Sequence, residues 1–460
     1  MSAIPPPGRA AGCYRSTTGT HSPCKAVAEV THPMNDFRPE GETSHHAGRS
    51  ELPTIVQPPE STDPMIAFTF PGQGSQRPGM GAPWRDDPSW ALVERASAVA
   101  GRDVAHLLLE ADADELKLTH NAQLATFVLS LVVHDAAVRA GLRADAVAGH
   151  SLGEYSALVA AGAVGFDDGV RLVTERGDAM REACSAHTGT MAAVLGGEDA
   201  DIEAACAEIR AAGGDVWVAN LNAPGQIVIA GEPDALARAG EACKARGAKR
   251  VMPVAVSGAF HTPYMAPAQG RLDAALAATT FAAADVPVAA NVDAALHRDA
   301  AAWQQLLSRQ LCSPVRWSHL LGALDTEGVS TLIELGPGTV LSGMGKRTLE
   351  GAVTLAAATP AEVADLGTRI AQEEARVATE NTAVEGEQLY AAERLVVSPA
   401  AGVFEPVDLA DGTPIEVGDL VGRVGEHEVR ARFAGWVMGH LAHRGERVTP
   451  RQPVAWMRIA

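Results

Sequence analysis

The stretch Gly149-His150-Ser151-Leu152-Gly153 sets one serine between two glycines, with a strand-like AVA before it and a helix-like EYSALVAAGAV after it. That order is what a nucleophile elbow requires. Glycines let the strand and helix approach closely, so the serine sits on a tight turn at a helix N-terminus. There its oxygen meets the positive end of the helix dipole and free backbone N–H groups, notably that of Leu152. The chemistry expected is acyl transfer through a serine ester. Whether water or another nucleophile collects the acyl group is left open by this stretch.

Arg176 is the second residue whose position asks for chemistry. In FDDGVRLVTERGDAMREA a helix starting near Asp167 places Arg171, Glu175, Asp178 and Glu182 on one polar face, opposite Leu172, Val173, Ala179 and Met180. At 100° per residue, Arg176 falls inside the apolar stripe. A buried guanidinium needs an anion, because leaving one uncompensated costs roughly 3–5 kcal/mol. An internal Asp or Glu could supply it, and so could a substrate carboxylate held in the planar fork of arginine. Upstream, PGQGSQ around Gln73 reads as a glycine-rich turn. It fails as a phosphate loop, since no lysine follows in G-K-[ST] form.

These residues need a scaffold to hold them. From Met65 to Thr359, apolar strand-like runs (AVAGHS, VWVAN, QIVIAG, RVMPVAVS, PVAANV, TLIELGPG) alternate with longer helical patterns. The alternation predicts an α/β fold with a mostly parallel sheet. Within it, residues 189–256 read strand, helix, strand, strand, helix, strand, the order of a small ferredoxin-like unit inserted in a larger domain. Residues 1–64 are rich in Pro, Gly, Ser, Thr and His with almost no apolar periodicity, and are expected to be a disordered tail. A charged helical linker is expected over 360–389.

Over residues 390–460 the texture changes to short strands separated by glycine, with an internal repeat. Ala401 to Val424 overlays Ala434 to Met457 without a gap: Gly402 falls on Gly435, Gly412 on Gly445, Ile415 on Val448 and Val421 on Val454. Two copies of one β-unit imply an all-β sandwich with pseudo-twofold symmetry.

Composition narrows the classes further. The chain has 460 residues, 47% hydrophobic and 20% charged, enough for two or more domains. A formal charge of −19 argues against nucleic acid or an anionic membrane as partner. Six cysteines (Cys13, Cys24, Cys184, Cys206, Cys243, Cys312) show neither C-x-x-C nor metal-ligand spacing, so no metal site is expected and a reducing, cytoplasmic setting is. No uninterrupted apolar run is long enough for a membrane span, and the N-terminus lacks the apolar core of a signal peptide.

Seven motifs occur in an order that resembles one family: FTFPGQGSQRPGMG, GHSLGEYSALVAAGAV, RLVTERG, VANLNAPGQIVIAG, VSGAFHTPYM, RQLCSPVRW and ELGPGTVLSGM. The chain resembles the malonyl-CoA:acyl carrier protein transacylases over residues 65–345. The resemblance implies an α/β-hydrolase-like large subdomain carrying the ferredoxin-like insertion. It implies Ser151 as nucleophile and His261 in GAFHTPYM as its base, with the imidazole oriented by a backbone carbonyl near Gln310 rather than by an acid. The oxyanion hole falls to the N–H groups of Leu152 and Gln73, and Arg176 takes the malonyl carboxylate. Asn220 and Asn222 match a motif lining the pocket, although a structural role in a strand-end turn fits them equally. Phe260 before the base resembles malonyl-selective forms, because it crowds an α-methyl.

The implied partners are malonyl-CoA and the phosphopantetheine thiol of an acyl carrier protein in fatty acid or polyketide synthesis, with no resident cofactor. Alternatives are an acyl hydrolase acting on carrier-bound groups, a transacylase for another extender unit, and a scaffold whose C-terminal repeat is the working part. Residues 390–460 resemble the biotinyl/lipoyl carrier domains. Where that family carries its attachment lysine this chain reads VGEHEVR, and no lysine follows Lys346. The domain is therefore expected to dock a carrier protein or synthase complex rather than carry a cofactor.

Overall fold

Each apolar run that reads as a strand in the first 360 residues finds a place in one of two sheets. The structure is a computed structural model that describes residues 65–256, 258–384, 393–410 and 412–459. The expected tail over 1–64, the end of the expected linker, 385–389, and the first residues of the expected C-terminal domain, 390–392, lie outside the described residues.

Six strands form the main sheet: β1 (Met65–Phe70), β2 (Ala146–Gly149), β7 (Val288–Ala289), β8 (Leu296–His297), β9 (Val329–Leu335) and β10 (Val353–Ala357). Their order is β10-β9-β1-β2-β7-β8, parallel throughout except for β8 at the edge. In β1, β2 and β9 nearly every residue is buried, as expected of parallel strands covered on both faces.

One cover is the helix Thr119–Arg139, buried along most of its length. It is apolar and long enough to cross a membrane by length and composition, although the sequence shows no uninterrupted apolar run. Gln123, Thr126 and Ser130 interrupt it, and 83% of its most apolar window is buried inside the protein. That face is occupied by protein packing.

A second sheet is built from β3 (Thr190–Leu195), β4 (Val216–Ala223), β5 (Gln226–Gly231) and β6 (Arg250–Val254), with the helices Asp199–Ala211 and Pro233–Ala245 between them in sequence. It is antiparallel, in the order β4-β5-β3-β6. Its core of Val194, Ile202, Cys206, Val218, Ile229 and Cys243 is separate from that of the main sheet.

The charged linker expected over 360–389 is helical over Pro360–Val384, and its Val363, Leu366 and Ile370 bury into the main core. Their i, i+3, i+7 spacing makes one apolar face, and it closes the sheet edge at β10.

Beyond it, two four-stranded sheets enclose a core of Phe404, Val421, Val437, Val454 and Met457. The first repeat supplies β12 (Gly402–Pro406), β13 (Thr413–Ile415) and β14 (Leu420–Val424), and the second β16 (Gly435–His440), β17 (Arg447–Val448) and β18 (Pro453–Ile459). With β11 (Glu393–Val397) and β15 (His427–Arg430), the sheet orders are β11-β18-β16-β13 and β15-β14-β12-β17. Each sheet thus takes one strand from the opposite repeat, in matching positions.

Candidate active site

Ser151 lies between the end of β2 and the helix Gly153–Ala160, with φ at 53°, a left-handed conformation that a serine adopts only under constraint. Two glycines make the turn possible. A Cβ on Gly149 would stand 1.9 Å from the carbonyl carbon of Gly153, and one on Gly153 would stand 2.0 Å from the carbonyl oxygen of Phe70.

Two side chains hold the backbone of the elbow. The Ser151 N–H donates to Asn291 Oδ1 (2.7 Å), its carbonyl accepts from Gln310 Nε2 (2.7 Å), and Asn291 Nδ2 donates to the Gly149 carbonyl (2.7 Å). Asn291 follows β7, so the neighbouring strand of the main sheet braces the elbow.

The base reaches the nucleophile from the segment after β6. His261, also in a left-handed conformation (φ 59°), places Nε2 2.7 Å from Ser151 Oγ. Its Nδ1 lies 3.0 Å from the carbonyl oxygen of Gln310, the last residue of the helix Ala300–Gln310. A carbonyl only accepts, so Nδ1 carries the proton and Nε2 presents a lone pair to the serine hydroxyl. Burial first, and then the Arg176 charge, push the imidazole pKa down to about 3. The ring is therefore a neutral acceptor at physiological pH.

Arg176 is 1% exposed in the middle of the helix Phe166–Ala186, whose other buried residues include Leu172, Val173, Ala179 and Met180. One terminal nitrogen donates to Gln123 Oε1 (2.6 Å); the other donates to Gln310 Oε1 and to Ser151 Oγ (3.1 Å each). All three are neutral acceptors. The internal Asp or Glu that the sequence allowed as a partner is not within ion-pair distance among the described residues, and burial lowers the guanidinium pKa. A cation with no carboxylate in direct contact, set over the Tyr155 ring, therefore stands beside the nucleophile.

A cavity of about 200 Å³ opens over these groups, between the main sheet and the antiparallel sheet. Of the residues singled out from sequence, Ser151, His261, Arg176, Gln73, Leu152, Phe260, Asn220 and Asn222 all line it. Gln310 stands behind them and works through its amide and carbonyl. Neither Gln73 nor Leu152 donates its backbone N–H to another group among the described residues, which leaves both for an oxyanion. Gly72 brings the Gln73 loop close, since a Cβ there would be 2.6 Å from the His150 carbonyl oxygen. Asn222 Oδ1 contacts His150 Nε2 at 2.9 Å, so its side chain anchors the residue before the nucleophile. Sequence reasoning missed Asn291, Gln123 and Glu154. The first two are lone amides outside any quoted pattern of polar residues, whereas Glu154 directly follows the G-x-S-x-G frame.

The acyl transferase domain family matches residues 67–388. The malonyl CoA-acyl carrier protein transacylase of Bacillus subtilis (strain 168) is 43% identical over 311 residues, covering 67% of this chain and 98% of the relative. The chain belongs to this acyl transferase family. Among solved structures, an acyl carrier protein S-malonyltransferase from Vibrio cholerae is 40% identical, with a TM-score of 0.63 over 65% of this chain and 99% of that one. A malonyl-transacylase in complex with a type II PKS acyl-carrier protein matches equally well, at 40% identity and TM-score 0.63 over 65% and 98%. For a member of the transacylases, mixed α/β architecture with a parallel sheet is the shared frame, and the residues after 388 lie outside the family match.

Proposed function

We propose that this protein transfers a malonyl group from malonyl-CoA, through an ester on Ser151, to the phosphopantetheine thiol of an acyl carrier protein in fatty acid or polyketide synthesis. One observation carries the reading: the buried Arg176 guanidinium, lacking a carboxylate of its own, lies 3.1 Å from the nucleophilic oxygen. A malonyl thioester brings a free carboxylate two carbons from the reacting carbonyl, and that carboxylate is the missing anion.

The steps follow from the geometry. Ser151 Oγ attacks the thioester carbonyl as its proton passes to His261 Nε2. The backbone N–H groups of Leu152 and Gln73 receive the oxyanion, and each such donor is worth about 10²- to 10³-fold in rate. Collapse breaks the C–S bond, and the His261 proton leaves with the CoA thiolate. The carrier thiol then gives its proton to His261, attacks the Ser151 ester, and the serine hydroxyl is re-formed. Both acyl donors are thioesters, so the transfer is reversible. Phe260, 6% exposed against the cavity, crowds an α-methyl and favours malonyl, while Asn220 and Asn222 shape the wall. The chemistry requires no resident cofactor or metal.

The same reading assigns residues 65–359, extended by the buried face of the following helix, to the transacylase domain. Its large part is α/β-hydrolase-like, and 189–256 form a ferredoxin-like subdomain, on the strand order β4-β5-β3-β6 with two helices. Residues 390–460 form a biotinyl/lipoyl-like sandwich without an attachment lysine, which docks a carrier protein or synthase. The symmetric exchange of strands between its repeats supports the sandwich architecture. A cytoplasmic setting fits Cys184, Cys206, Cys243 and Cys312, all free thiols.

The deciding experiment incubates the protein with radiolabelled malonyl-CoA and holo carrier protein. Labelled carrier is expected, and Ser151→Ala should abolish both it and the labelled enzyme intermediate. Free malonate without labelled carrier would make the protein a hydrolase instead.

A further inference from the structure

Glu154 is a buried carboxylate for which the steps above have no use. It stands three residues after the nucleophile, in the first turn of the helix Gly153–Ala160, with 0% exposure. Its oxygens accept from two distant segments, Oε1 from the Asn291 backbone N–H (2.8 Å) and Oε2 from Gln310 Nε2 (2.6 Å). Both donors are neutral, and burial pushes the carboxyl pKa up to about 7 although these hydrogen bonds and the charge of Arg176 oppose it. A buried carboxylate hydrogen-bonded only to neutral donors is a costly way to join a helix to its neighbours, and an apolar contact would serve packing as well.

What the carboxylate supplies is direction. An amide has a donor end and an acceptor end, and packing alone does not distinguish the two. At Gln310 the NH₂ end faces two acceptors, Glu154 Oε2 and the Ser151 carbonyl, while Oε1 faces the terminal nitrogen of Arg176. Turned over, the amide would set its oxygen against a carboxylate and its NH₂ against a guanidinium. With Oε1 taken by the Asn291 N–H and Oε2 turned to Gln310, Glu154 presents an acceptor that fits only the observed orientation. Its other oxygen fixes the Asn291 backbone, and the Asn291 side chain holds Ser151 N–H and the Gly149 carbonyl. Nucleophile and guanidinium are thus referred to one carboxylate.

We infer that Glu154 is a positioning residue for substrate choice: through the Gln310 amide it holds Arg176 in the orientation that meets the carboxylate of a malonyl thioester. The inference rests on the malonyl-transfer reading.

Glu154→Gln tests it, because glutamine offers one acceptor oxygen where two are needed. If that oxygen keeps Asn291, two NH₂ groups meet at Gln310 and the amide turns over. The measured quantity is the ratio of kcat/KM for malonyl-CoA to that for acetyl-CoA, which has no carboxylate. The ratio should fall about 10- to 100-fold, the scale of a small misplacement of a binding group, chiefly through KM for malonyl-CoA. Glu154→Asp, which still accepts at two oxygens, should recover part of it. A role confined to packing would lower both substrates together and leave the ratio unchanged, and that result would overturn the inference. Should Glu154→Gln fail to fold, Gln310→Met cuts the link between Glu154 and Arg176 and must lower the same ratio; a retained ratio there is equally fatal. Absence of malonyl transfer by the unaltered protein would sink the functional reading and this inference together, whereas transfer with an unchanged ratio removes only the role of Glu154.

Discussion

Replacing Arg176 by methionine separates substrate binding from the chemistry at Ser151 more cleanly than any other single change. Methionine fills most of the same volume on the apolar stripe of the helix Phe166–Ala186 and carries no charge. In the free protein the guanidinium makes three hydrogen bonds to neutral oxygens, of which the one to Ser151 Oγ is open to replacement by a substrate carboxylate. A forked contact to that carboxylate supplies two charge-assisted bonds of about 1.5–2 kcal/mol each. Their loss, about 3–4 kcal/mol, is about a 10²- to 10³-fold fall in kcat/KM for malonyl-CoA.

Acetyl-CoA makes neither bond, so its kcat/KM should hold or rise. Stability should hold or rise too, since a desolvated cation disappears while Gln123, Gln310 and Ser151 each lose one donor. Steady-state transfer of each labelled acyl group to holo carrier protein, with a thermal melt of both proteins, reads all three quantities. Equal losses for malonyl and acetyl would refute the reasoning, because Arg176 would then serve the serine and not the substrate.

Two further predictions concern the frame. His134 stands edge-on to Phe68 and Phe70, and burial pushes its pKa down to about 4 from an unfolded value of 6.5. Unfolding therefore takes up a proton between those pH values, and the stability present above pH 6.5 is lost as pH falls towards 4. His134→Leu should remove about 2–3 kcal/mol of the stability difference between pH 7 and 4.5, as read by urea denaturation; identical differences in both proteins would refute it. Gly153→Ala would drive a Cβ to within 2.0 Å of the Phe70 carbonyl oxygen, a backbone atom that cannot swing aside. It should cost about 3 kcal/mol or abolish soluble expression, and a variant melting within about two degrees of the parent would contradict that.

The residues legible in the sequence were those whose local pattern already implied their surroundings. Ser151 announced itself because strand, glycine and helix follow one another in the chain, and Arg176 because helical periodicity alone put a cation among Leu172, Val173 and Met180. His261 had no such local signal and depended on the resemblance of its motif. Asn291 and Glu154 stayed hidden because their roles are made by contacts across 140 and 137 positions of sequence, from Ser151 to Asn291 and from Glu154 to Asn291. Nothing near Asn291 marks it as more than the polar end of a strand. The helix after Pro360 shows the opposite failure. Val363, Leu366 and Ile370 stand at helical spacing, but the charge around them is equally that of a solvated connector.

The strand exchange between the two repeats of residues 401–457 has a practical consequence for anyone shortening this chain. β13 belongs to the sheet of the second repeat and β17 to that of the first, so the halves are clasped like two hooks. A cut between them leaves each fragment with an open edge where its borrowed strand lay and with half of the core around Phe404 and Val437 exposed to water. The two repeats are consequently gained or lost as a unit, and the natural place to divide the protein is ahead of β11.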